Sequence, residues 1–172
     1  MAEFQEVLDR LLKSYSSYYN INTDTPAKPF AAEAVFGIHD EQYFLIKSAK
    51  LSESDSKEFV FFAHTELLNG DTLKALDSRA WEEGLSRAEI KENHKNTDVV
   101  LIILADAFAG DIGKAVKKSK HYKSYKFGLW GWSSYRLIAY ELSSGKTYTN
   151  RLGSDLKRLF GNKKMSRKGV EK

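Results

Sequence analysis

Residues 99–105, Val-Val-Leu-Ile-Ile-Leu-Ala, form an unbroken apolar run bracketed by Asp98 and Asp106, and most of its side chains before Ala105 are β-branched. A strand with one wet face alternates apolar and polar residues, whereas one without alternation has to be covered on both sides. The run is far short of the ~20 residues that a membrane-crossing helix needs. It therefore reads as a buried strand at the heart of a sheet, and the rest of the chain has to supply its cover.

Residues 3–19 place Phe4, Val7, Leu8, Leu11, Leu12, Tyr15, Tyr18 and Tyr19 three and four apart, which predicts an amphipathic helix with one buried stripe. Residues 20–29 carry both prolines of the chain among Asn, Asp and Thr and read as a linker. Residues 32–38, 42–51 and 58–65 are rich in Phe, Tyr, Val and Ile and are separated by polar turns, the pattern of a three-stranded antiparallel meander. The third of these is apolar on both parities and belongs inside the sheet. A helix over 72–90, capped by Asp71 or Thr72, carries Leu73, Leu76, Ala80, Trp81, Gly84, Leu85 and Ala88 on one side. A helix over 111–121 has Asp111 at its start and Lys117, Lys118 and Lys120 towards its end, the sense that a helix dipole favours. Strands follow at 126–132, 135–142 and 146–150. The turn chemistry of Ser143-Ser144-Gly145-Lys146 joins the last two as a hairpin. A short helix capped by Ser154 or Asp155 ends at Gly161, and residues 162–172, with five basic residues in eleven, read as a mobile tail.

These elements predict a single α+β domain over residues 1–161: a mainly antiparallel sheet of five to seven strands, with the N-terminal helix and the 72–90 helix packed on it. A chain of 172 residues, 42% hydrophobic and 29% charged, is long enough to bury such a core. The absence of cysteine excludes a disulfide framework, a thiolate metal site and a cysteine nucleophile, and favours a reducing compartment. The opening residues lack the basic and apolar sections of a signal peptide, so the expected location is cytoplasmic.

No residue pattern meets the requirements of a catalytic motif. Helix, three strands, helix, strand resembles the core order of the PD-(D/E)xK nucleases, whose carboxylates share a divalent cation while a nearby ammonium orients water. Here the corresponding strand reads Glu58-Phe59-Val60 with no lysine two places on, and Glu89-Ile90-Lys91 falls at a helix end. His39-Asp40-Glu41 and His64-Thr65-Glu66 each offer two ligand types on one strand face, but the His-x-Glu of zinc deaminases is accompanied by cysteine ligands that this chain lacks. Asp106 follows the apolar strand where α/β enzymes place a metal-binding carboxylate, yet no phosphate-cradling glycine loop precedes it, and there is no Gly-x-Ser-x-Gly elbow. The expectation is no catalytic residue, no metal and no cofactor. The alternative is a divergent metal-dependent hydrolase using some of Glu33, His39, Asp40, His64, Glu66 and Asp106, which requires at least three of them to converge.

Charge is sorted along the chain. Residues 1–70 hold 6 Lys/Arg against 11 Asp/Glu, residues 71–110 hold 5 against 8, and residues 111–172 hold 16 against 4, so that net charges of −5, −3 and +12 hide behind an overall +4. In the basic third, Lys114, Lys117, Lys118, Lys120, Lys123 and Lys126 lead into Phe127-Gly128-Leu129-Trp130-Gly131-Trp132, followed by Arg136. Lysines of this kind meet phosphates, and exposed rings stack on bases or lie at a lipid headgroup surface. The competing reading is a solvated helix face beside core rings at Phe127, Leu129 and Trp132. The expected binding residues are Lys117, Lys118, Lys120, Lys123, Lys126, Trp130 and Arg136, with nucleic acid or another polyanion as partner. A further reading has the acidic two thirds neutralise the basic third internally or in a homodimer.

Lys126-Phe127-Gly128 through Gly131-Trp132, Tyr135-Arg136-Leu137-Ile138 and Thr149-Asn150-Arg151-Leu152-Gly153 resemble a small family of uncharacterised bacterial proteins, chiefly from clostridia and related Firmicutes, over residues 3–161. The resemblance implies a bacterial cytosolic α+β domain and brings no activity, because the family is one of unknown function. On its residues the chain reads as a non-enzymatic binding or structural module with a basic C-terminal face.

Overall fold

The structure is a computed structural model that describes residues 2–36 and 55–161. Helix α1 (Ala2–Tyr15) is followed by strands β1 (Tyr19–Asn22), β2 (Ala32–Phe36) and β3 (Asp55–Leu68), helix α2 (Gly70–Arg87) and strand β4 (His94–Phe108). Then come helix α3 (Ile112–Lys118), strand β5 (Tyr122–Ser124), a tight 3-10 turn (Lys126–Gly128), strands β6 (Trp132–Glu141) and β7 (Thr147–Thr149), and a 3-10 helix (Ser154–Phe160). The seven strands form one sheet in the order β1-β2-β3-β4-β6-β5, with β7 also paired to β6.

The sheet is mixed rather than mainly antiparallel. Its two longest ladders, β3 with β4 and β4 with β6, are parallel, while the shorter outer pairs are antiparallel. The reason lies in the connections: parallel neighbours need a crossover, and α2 is that crossover between β3 and β4. β2 and β3, expected as the outer members of a meander, are direct antiparallel neighbours, with Ala32 opposite Phe62; residues 42–51, like 162–172, lie outside the described residues.

Both faces of the central strands are covered, as the apolar run requires. On one face Phe61, Leu101, Ile103 and Leu137 pack under Leu73, Leu76 and Ala80 of α2 and Ile112 and Val116 of α3. On the other, Val60, Phe62, Val100, Ile102 and Leu104 meet Val7, Leu8, Leu11 and Tyr15 of α1 and Leu156 and Phe160 of the last 3-10 helix. α1 stops at Tyr15, short of the expected 3–19, and β1 runs from Tyr19, the expected end of the helix, into Asn22 of what reads as linker. α2 starts earlier than expected because Asn69 is its cap, the side chain accepting from the Thr72 N–H at 2.9 Å. α3 is shorter than 111–121, and residues 126–131 form a turn and loop instead of a strand, β6 starting at Trp132. The hairpin of β6 and β7 forms as expected, pairing Ile138 with Thr149.

Two small details fix this arrangement. A Cβ at Gly84 of α2 would stand 2.4 Å from Cγ2 of Val99, so this glycine lets the helix approach the central strand. Gly84→Ala is expected to cost about 1–3 kcal/mol by overpacking, read as a lowered urea midpoint at unchanged m-value. Between β5 and β7 the edge of β6 is closed by one side chain: Asn150 Oδ1 accepts from the Leu137 N–H (3.0 Å) and its Nδ2 donates to the Tyr135 carbonyl (3.1 Å). The same oxygen accepts from the Gly153 N–H at 2.9 Å, which gives Asn150 and Gly153 of the Thr149-Asn150-Arg151-Leu152-Gly153 segment a structural task.

Candidate functional site

Residues 112–132 lead from α3, which packs on the α2 face of the sheet beside β6 and β7, into β5 and the loop that follows it. α3 buries Ile112 and Val116 and leaves Lys114, Lys117 and Lys118 exposed, with the last two beside its negative C-terminal end. Lys120, Lys123 and Lys126 are exposed as well, and β5 is exposed throughout. Among the described residues none of these six lysines has a carboxylate within ion-pairing distance.

After β5 the chain makes a tight loop. Lys126, Phe127 and Gly128 take φ values of 48°, 55° and 88° in succession, and Gly131 takes 71°. Two consecutive non-glycine residues in the left-handed region are uncommon and strained. The loop is held by Tyr125 N–H to Gly131 O (3.0 Å), Gly128 N–H to Tyr125 O (2.9 Å) and Trp130 N–H to Tyr125 O (3.2 Å). Below it, buried His94 donates from Nδ1 to the Trp130 carbonyl (2.7 Å), and its Nε2 meets the Thr97 hydroxyl at 2.9 Å. A carbonyl can only accept, which fixes that tautomer. Tyr125 closes the base through its hydroxyl on Ser133 Oγ at 2.8 Å.

The outcome is a projecting tip. Phe127 is fully exposed, Leu129 is 81% exposed and Trp132 45%, so the reading of these three as core residues does not hold. Lys126 Nζ lies 5.1 Å over the Trp130 ring and Lys123 Nζ lies 5.6 Å over that of Tyr125, within cation–π range. The sequence signal for a loop was the pair Gly128 and Gly131, outweighed in the strand reading by the aromatic residues between them.

Arg136 stands apart from these residues. It sits on the α1 face of β6, its side chain only 19% exposed, and pairs with Glu58, with Asp155 at 3.1 Å and with Asp98 at 4.0 Å. Glu58 also accepts from the Tyr19 hydroxyl at 2.8 Å, and Ser134 donates to Asp98. Burial pushes the Glu58 carboxyl above its ordinary value despite Arg136 and the Tyr19 hydrogen bond, which pull it down. Of the seven expected binding residues, Lys117, Lys118, Lys120, Lys123 and Lys126 are exposed between α3 and the 125–131 loop, Trp130 is partly buried in that loop, and Arg136 lies in a carboxylate cluster.

Three other polar clusters tie elements together. Asp77 of α2 accepts from Ser119 and, at 2.5 Å, from His121 Nε2, with His121 stacked on Trp81. The serine is directed at the carboxylate and not at the imidazole, so this is no Ser–His–Asp relay; it joins α2 to the end of α3. Glu33 of β2 is held bidentately by Arg87 at 2.9 and 3.0 Å and accepts from the Ala27 N–H at 2.5 Å. Burial opposes ionisation there, but those hydrogen bonds keep the Glu33 carboxyl below its usual range. His64 and Asp106 meet at 2.9 Å at the C-terminal ends of β3 and β4, and Phe4 stacks on the imidazole. Glu66 is exposed, and His39 and Asp40 lie outside the described residues. Of the four described candidates for a hydrolytic centre, Glu33, His64, Glu66 and Asp106, only His64 and Asp106 come together, and among the described residues no three His, Asp or Glu side chains could hold a metal.

A mixed sheet with a parallel centre and helices on both faces defines an α+β protein whose most exposed chemistry is a lysine-lined edge ending in an apolar loop. The chain belongs to the family described as a domain of unknown function (DUF8052), whose model matches residues 3–162. No curated protein and no solved structure matches it. Among the described residues no helix is long and apolar enough to cross a membrane.

Proposed function

We propose that this protein is a non-enzymatic binding module that receives an anionic partner along the edge formed by α3, β5 and the 125–131 loop. The observation that carries the reading is the row of exposed lysines without carboxylate partners among the described residues. Arginines 79, 87 and 136 each have one at 3.1 Å or less. Uncompensated cations on one edge create a positive potential that attracts polyanions and makes their binding salt-dependent. The absence of cysteine supports a reducing, cytoplasmic compartment for this encounter.

The test is retention on single- and double-stranded DNA and on anionic vesicles as salt is raised. If four phosphates are met, DNA affinity is expected to fall about 100-fold between ~50 and ~200 mM salt. Replacing Lys117, Lys118 and Lys120 by Glu is expected to weaken binding at least tenfold while lowering Tm only slightly, since all three are exposed and only the favourable interaction of Lys117 and Lys118 with the end of α3 is reversed. Retention on no anionic surface, or retention indifferent to salt and to these substitutions, would overturn the reading.

A further inference from the structure

We propose, resting on the basic-edge reading above, that the anionic partner is a phospholipid surface and that the loop tip at Phe127 and Leu129 enters its apolar layer. Four of the eight large hydrophobic side chains exposed among the described residues, Tyr122, Phe127, Leu129 and Trp132, fall within eleven consecutive positions. Clustered apolar exposure of this kind marks an interaction surface. The tip does not hang loose: three successive left-handed residues, the hydrogen bonds back to Tyr125, and the His94 clamp on the Trp130 carbonyl hold Phe127 and Leu129 outward. Backbone strain of this kind persists where the surroundings over-determine it.

The distribution of rings and charges selects lipid over nucleic acid. Lys126 and Lys123 each lie over one face of Trp130 and Tyr125, which leaves bases at most the other face for stacking. Leu129 has no π face to offer. The most exposed side chains of the loop, Phe127 and Leu129, are hydrocarbon, and within a few residues of them in the chain stand the rings Tyr122, Trp130 and Trp132 and the ammonium groups of Lys123 and Lys126. Aromatic rings with a polar edge favour the headgroup level, and basic side chains favour an anionic leaflet. A second copy of the same edge would bring lysine rows together, which like-charge repulsion opposes.

The full chain is mixed with phosphatidylcholine vesicles containing none or about 30% phosphatidylserine, and sedimentation and tryptophan emission are followed. Binding to the anionic vesicles is expected, with emission shifted to the blue and quenched by lipids brominated in the upper acyl chain. The double variant Phe127→Ser/Leu129→Ser is expected to lower vesicle partitioning at least tenfold and to leave Tm unchanged. Vesicle binding that survives the double substitution, or that occurs without blue shift or quenching, overturns the insertion. Salt-sensitive binding to DNA with no binding to vesicles overturns the lipid proposal and leaves the basic-edge reading standing; binding to neither overturns both.

Discussion

Arg136→Ala is expected to cost about 3–5 kcal/mol near pH 7, the penalty for removing one partner of a buried charge cluster, and that cost is expected to shrink towards pH 5. Arg136 faces Glu58, Asp98 and Asp155, and without it, among the described residues, only Arg158, 3.5 Å from Asp155, pairs with any of them. The Glu58 carboxyl already lies above its ordinary 4.5, because burial outweighs the pull of Arg136. A carboxyl raised in the folded state contributes stability that is fully present below its unfolded value and is lost as pH rises through the folded value. Removing Arg136 raises Glu58 further, so mild acid, by protonating it, removes one of the unpaired charges. Glu33 and Glu83 behave in the opposite sense. Both are lowered by their arginine hydrogen bonds against the effect of burial, and their contribution is lost as pH falls below about 4.5. Urea titrations kept above that value isolate the Glu58 effect. A deficit under about 1 kcal/mol, or one that does not change with pH, would show that the cluster is not organised around Arg136.

Gly131→Ala is expected to destabilise the fold by more than about 3 kcal/mol. A Cβ there would lie 1.9 Å from the carbonyl oxygen of Lys95 and 3.0 Å from that of His94. Both are backbone atoms at the start of β4 and cannot yield without shifting the central strand. The positive φ of 71° adds its own penalty for an L side chain. Gly128→Ala supplies the comparison: its φ is 88°, but nothing lies within 4 Å of the added methyl, so it is expected to cost only about 1–2 kcal/mol. Thermal or urea unfolding of the two variants separates steric overlap from conformational preference, and equal losses would refute the close approach of the loop to β4.

The parts of this molecule that were legible in the sequence are those dictated by burial. The run at 99–105 has no polar parity, and β4 is covered on both faces. The stripe of Val7, Leu8, Leu11 and Tyr15 packs as α1, and Leu73, Leu76 and Ala80 pack as α2. What escaped depends on partners distant in sequence. Tyr19 looks like the end of a helix and Asn20-Ile21-Asn22 like linker, and together they become a strand because β2 lies beside them. Parallel pairing of β3 with β4 is a property of their connection, not of either strand, although two neighbouring strands apolar on both parities were a hint. Arg136 reads as one more charge of the basic third. Its even parity on β6, shared with Ile138 and Tyr140, puts it instead on the face that also carries Glu58 and Asp98.

The position of β4 has a consequence for synthesis of the chain. β4 pairs with β3, which precedes it, and with β6, whose last residue, Glu141, follows Phe108 by 33 residues. At a translation rate of ~5–20 residues per second the ribosome needs about 2–7 s to make that stretch. During this interval the nascent protein carries one open parallel edge along the apolar 99–105 run of β4. That is the window in which neighbouring nascent chains can aggregate and a holding chaperone has most to protect.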